Sequence, residues 1–205
     1  MSRTKIDFIR FVKYAVVIVG AVVIGILLGR FITNYETRYL LNREYCGRYR
    51  GIEVYKSGEI NADNFIGHAH VLESAPDALV ETCSVMYFIG EDLDIPASGG
   101  NGGKALGLTQ DSTIYISTAS FNIDVILHEL FHAYDNANNK ISSSPEFLSI
   151  VDKEGSKVFV ELFDESQFSA EFFAAAGAQY LLEPKILKDA APETYRFIDK
   201  LIDNY

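Results

Sequence analysis

The stretch Ile123 to His132 (IDVILHELFH) constrains this chain more than any other part of it. Ile123, Val125, Ile126, Leu127, Leu130 and Phe131 make it apolar on most sides, which predicts a central, buried helix. Asn122 or Ser120 can cap its start, and the β-rich run Thr113 to Thr118 precedes it. His128, Glu129 and His132 spell HExxH. Histidines at i and i+4 share one helical face, one turn apart, so both imidazoles can reach a single Zn²⁺. Glu129 stands beside them, placed to take a proton from a metal-bound water. The competing reading is an accidental pair of structural histidines.

A catalytic zinc takes three protein ligands and keeps one position open. A third histidine two turns on would need Gly at 135 and His at 138; Asp135 and Asn138 stand there instead. A downstream Glu is the remaining choice. Glu171 lies in AEFFAAAGAQYLL, where burying a lone carboxylate is costly unless it meets a cation. Glu161 and Glu165 are rivals in a more polar stretch, and a solvent-facing Glu171 would need no ligand role.

HELFHAYD at 128–135, EGS at 154–156, AEFFA at 170–174 and APETYRFIDKLI at 191–202 together resemble the anthrax lethal-factor-like metalloprotease family. The resemblance runs from about Pro76 to the C-terminus. It includes ALGLT and TIYIS ahead of the HExxH helix, and extends to secreted Pro-Pro endopeptidases. It implies a gluzincin, with zinc on His128, His132 and Glu171, and Glu129 as general base. Three positions depart from the family pattern. Phe131 stands where Gly is usual. Asp164 stands where a Tyr commonly donates to the developing oxyanion, a loss that can cost about 10²–10³ in turnover. Ala175 stands where a second acid is frequent, and Asp135 is a candidate substitute.

The chain of 205 residues carries a net charge of -10, unevenly distributed. Residues 1–33 hold five basic groups against Asp7 alone, so the remaining residues carry a net -14. That surplus argues against nucleic acid as a partner, because phosphates need a basic face. Tyr14 to Gly29 is uncharged and apolar, and extended by Phe31 and Ile32 it approaches the roughly 20 residues that cross a bilayer. A cleaved signal peptide would be shorter and end in a small-x-small site. The expectation is an uncleaved single-pass anchor over 1–33, with residues 34–205 as an extracytoplasmic catalytic domain. Cys46 and Cys83 could pair outside the cytosol or remain thiols inside it, and sequence leaves both open.

Elsewhere, 34–45 reads as a helix, Ile52 to Tyr55 and Ser84 to Ile89 as strands, and Pro76-Asp77 as opening a helix to about Cys83. Gly90 to Lys104 reads as a long loop whose glycines match neither a phosphate loop nor a dinucleotide fingerprint in the right context. Further helices are expected over about 145–154, 167–182 and 191–203. His68 and His70 would share a face if extended, though a second metal would need more ligands. The fold expected is α+β, a zincin-like domain with a small sheet and a central HExxH helix after one transmembrane helix. The function expected is a membrane-anchored zinc endopeptidase acting on a peptide laid along an edge strand formed by Thr113, Ile114, Tyr115, Ile116 and Ser117. The alternative is a non-catalytic zinc- or peptide-binding module.

Overall fold

The computed structural model describes residues 42–95, 103–158 and 167–202. Residues 44–205 form one compact unit. Its strands are β1 (Arg43–Tyr49), β2 (Ile52–Ser57), β3 (Val85–Ile89), β4 (Leu93–Ile95), β5 (Gly103–Ala105), β6 (Gly107–Gln110) and β7 (Thr113–Ser117). Its helices are α1 (Ala62–Ser74), α2 (Asp77–Val80), α3 (Ile123–Ala137), α4 (Pro145–Glu154), α5 (Phe168–Leu182), α6 (Pro184–Ala190) and α7 (Pro192–Ile202). Five strands form one sheet in the order β1-β2-β3-β7-β6, and β4 and β5 make a separate two-stranded hairpin. The architecture is the expected mixture of a small sheet and several helices.

Strand alternation sorts the sheet into two faces. Val54, Met86 and Ile114 occupy one cross-strand row, and Phe88 and Ile116 meet in the next. All five belong to the main core, together with side chains of all seven helices α1 to α7. The opposite face carries Tyr55, Tyr87 and Tyr115 in register, their rings stacked 5.2 Å apart at each step. The inner strands β2, β3 and β7 run parallel; β3 and β7 are covered on both faces and nearly continuously apolar, whereas β2 alternates and carries Glu53 and Lys56.

Several expectations change here. Arg43 to Tyr45 belong to a strand, not to the end of a helix; residues 34–41 lie outside the described residues. Arg50 and Gly51 both have positive φ (47° and 91°), giving the two-residue turn that folds β1 back on β2. Arg50 Nη1 then donates to the carbonyls of Leu72 and Ala75 at 2.8 and 2.7 Å, closing the end of α1. α1 itself was not foreseen. It places His68 in the interior, 1% exposed, and His70 outside, because i and i+2 diverge by about 200° on a helix. The shared face read for an extended chain does not exist. The segment Gly90 to Lys104 contains β4 and the start of β5 rather than a loop alone, and its glycine-rich centre lies outside the described residues. Cys46 is an exposed thiol and Cys83 a buried one; both are free.

The expected location, a single-pass membrane protein with its domain outside the cytoplasm, is corrected. Among the described residues no helix is long and apolar enough to cross a membrane. The longest, α3 and α5, have 15 residues each. They reach about 22 Å at the helical rise, short of the roughly 30 Å of hydrocarbon. The run Tyr14 to Gly29 lies outside the described residues.

Two contacts lock the helices together. Phe131 is fully buried on α3, and a Cβ placed on Gly177 of α5 would lie 2.4 Å from its ring. The large residue at 131 is thus matched by an absent side chain at 177. Gly177→Ala is expected to lower stability by about 1–3 kcal/mol through overpacking, read as a fall in the urea midpoint at constant m. The second contact explains the EGS and APET segments. Glu154, 3% exposed, accepts from Thr194 N and Oγ1 at 2.9 and 2.8 Å and from Glu193 N at 3.2 Å, capping α7. Burial pushes its carboxyl up, but these donors outweigh burial and hold it below the usual range. A depressed carboxylate stabilises the fold above its unfolded pKa, and that stability fades as pH falls through the folded pKa. Glu154→Gln is therefore expected to cost about 1–3 kcal/mol at neutral pH, with the gap to wild type narrowing below about pH 4 in denaturant titrations.

Candidate metal centre

α3 is capped by Asn122, whose side chain accepts from Asp124 N at 3.0 Å. One face of the helix carries His128 and His132 with their rings edge to face, centroids 4.6 Å apart and Nε2 atoms 3.0 Å apart. α5 packs across α3 and brings Glu171 to the same point. Glu171 Oε2 lies 3.2 Å from His128 Nε2 and 3.4 Å from His132 Nε2. Among the described residues these three form a group able to hold a metal. Ligands about 2.0–2.1 Å from a tetrahedral zinc lie about 3.3 Å from one another, and the three separations fit that spacing. The three side chains keep between 18% and 25% of their surface exposed, so the site is open to a substrate.

Burial drives the Glu171 carboxyl up, but hydrogen bonds and charge from His128 and His132 reverse this and hold it at about 2. It is a carboxylate at any neutral pH, as a metal ligand must be.

Glu129 follows His128 on α3 and is 6% exposed. Its carboxylate lies under β6. Thr109 Oγ1 is 2.7 Å from Glu129 Oε2 and 3.0 Å from the Glu129 carbonyl. A Cβ on Gly107 would fall 2.5 Å from Glu129 Oε1. Neither Thr109 nor Gly107 was picked out from sequence; ALGLT marked the segment, but nothing in its pattern shows which side chains meet the helix.

The strand expected to receive a peptide is placed differently. β7 pairs with β3 on one side and with β6 on the other, so Thr113, Ile114, Tyr115, Ile116 and Ser117 present no open main-chain edge. Ile114 to Ser117 are buried. The sheet edge beside the HExxH helix is β6. Asp135 is not a solvated charge, and its carboxylate acts on His132 through space. It is buried and accepts from Ser142 N and Oγ at 2.7 and 2.6 Å, fixing the turn after α3. Glu161, Asp164 and Glu165 lie outside the described residues.

This fold and this cluster define the class. The family model of the anthrax toxin lethal factor, N- and C-terminal domain, matches residues 94–201, and the chain belongs to that family. Within it the chain is similar to the Pro-Pro endopeptidase of Paenibacillus alvei, 36% identical over 89 residues. That match spans 42% of this chain and 40% of the relative's own length. The solved structure of the Pro-Pro endopeptidase from Paenibacillus alvei superposes with a TM-score of 0.56 at 25% identity, covering 72% of this chain and 96% of the other.

Proposed function

We propose that this chain is a zinc metalloendopeptidase of gluzincin type. The convergence of His128, His132 and Glu171 at zinc-ligand spacing carries the reading, and the endopeptidase relatives support it. His128 and His132 offer two imidazole nitrogens and Glu171 one carboxylate oxygen, a donor set that suits Zn²⁺. Zinc bound there supplies Lewis acidity to a peptide carbonyl and lowers the pKa of water.

The remaining work falls to the chain's own groups. Glu129 accepts a proton from the attacking water at its carboxylate and returns it to the leaving amine. β6 is an edge among the described residues, paired on one side only, so its free side suits main-chain pairing with an extended peptide. That pairing would lay the peptide beside Glu129, which touches β6 through Thr109. Peptides with a Pro-Pro pair are the first candidates, from the relatives' name.

The test is a peptide library, rich in Pro-Pro sequences, incubated with the zinc-loaded protein and read by mass spectrometry. Internal cleavage products that vanish with a chelator are expected. Bound zinc without any cleavage would favour the non-catalytic module instead, the reading that Asp164 in place of the family's Tyr supports.

A further inference from the structure

The β6 edge does more than border the cleft. We infer that β6 positions the general base, Thr109 by a hydrogen bond and Gly107 by leaving room. This rests on the endopeptidase reading and names two residues that neither the family match nor the relatives assign.

The geometry is specific. Glu129 has one carboxylate oxygen, Oε2, 2.7 Å from the Thr109 hydroxyl, the nearer of two acceptors for its single proton; the Glu129 carbonyl is the second, at 3.0 Å. The other, Oε1, occupies the space that a side chain at 107 would fill. A Glu side chain has three rotatable bonds and would otherwise sample several rotamers, and proton transfer needs its carboxylate within hydrogen-bond reach of the water. Thr109 therefore acts as a positioning residue: its side chain works through Glu129, and only its main chain belongs to the edge offered to a peptide. Gly107 matters for the same reason. A methyl group there would lie 2.5 Å from Oε1 and 2.7 Å from Cγ, so Gly107→Ala forces the whole Glu129 side chain to move and displaces the base.

The experiment compares zinc-loaded wild type, Thr109→Val, Thr109→Ser and Gly107→Ala on one peptide that the wild type cleaves. It records kcat, KM, zinc stoichiometry and Tm for each. Thr109→Val and Gly107→Ala are expected to lose about 10–100-fold in kcat. KM should stay within about twofold, with one zinc bound and Tm little changed. Thr109→Ser keeps the hydroxyl and should restore kcat to within about threefold of wild type. A Thr109→Val protein that keeps its kcat would overturn the role of Thr109, as would a Ser variant as slow as Val. If Thr109→Val does not fold, Thr109→Ala is measured against Thr109→Ser on the same criteria. Unchanged kcat in Gly107→Ala would overturn the clearance argument. A zinc-loaded wild type that cleaves nothing would contradict the endopeptidase reading itself and this inference with it, an outcome visible before any variant is made.

Discussion

Replacing Glu129 by Gln is expected to lower kcat by about 10²–10⁴-fold, the usual worth of a positioned general base. Gln has nearly the same shape and still accepts from the Thr109 hydroxyl through its amide oxygen, so the edge strand stays docked on α3. It has no carboxylate to take the proton. Because Glu129 is not among the three converging groups, zinc should remain at one equivalent. Kinetics and metal analysis on the same preparation separate the two properties. Cleavage at wild-type rate in Glu129→Gln would remove Glu129 from the mechanism, and loss of zinc would place its carboxylate among the ligands.

The second large effect is on metal binding. Glu171→Ala removes the one carboxylate donor and leaves two imidazoles whose Nε2 atoms are 3.0 Å apart. Loss of a partner that merely orients a ligand weakens metal sites by about 10–100-fold, so loss of a ligand is expected to exceed about 100-fold. The consequence is measurable without any substrate. A metal at about 1,000 times its Kd stabilises the native state by about 4 kcal/mol; a hundredfold weaker site gains only about 1.4 kcal/mol at the same concentration. Wild-type Tm should therefore rise clearly with added zinc, and that of Glu171→Ala far less. Equal shifts in the two proteins would place the metal elsewhere. The substitution leaves the fold tolerable, since Glu171 keeps 20% of its side chain exposed and its neighbours Phe172 and Phe173 carry the packing of α5.

What the sequence could convey follows from which properties are local. HExxH spacing on an apolar helix is local, and α3 forms with Asn122 as its cap. α4, α5 and α7 likewise carry their own start signals or apolar length, and they form within a residue or two of expectation. α1 is not legible in the sequence because Ala62 to Ser74 has only weak amphipathic periodicity, so its helicity comes from the Asn61 cap and from tertiary contact. The start of β1 reads as helix because Arg43 to Tyr49 is charged and mostly exposed, a composition a helix also tolerates. The edge was assigned to β7 because edge status depends on strand order, which one strand's composition does not encode. β6, four half-buried residues long, gave too short a pattern to be recognised as β7's antiparallel neighbour. Glu171 could be proposed from sequence because an acid in an apolar helix is conspicuous. Thr109 and Gly107 could not, because their contacts with Glu129 join segments about 20 residues apart. The pairing of Phe131 with Gly177 is of the same kind: each residue looks ordinary alone, and only α3 packed on α5 makes them complementary.

The central claim is that one zinc held by His128, His132 and Glu171 makes this chain an endopeptidase. The most direct measurement titrates metal-free protein with zinc and follows hydrolysis of a cleaved peptide. The expected result is no hydrolysis without metal, a linear rise with added zinc, and a plateau at one equivalent. Hydrolysis by the metal-free protein, or one equivalent of zinc bound with no hydrolysis of any peptide in the library, would contradict it.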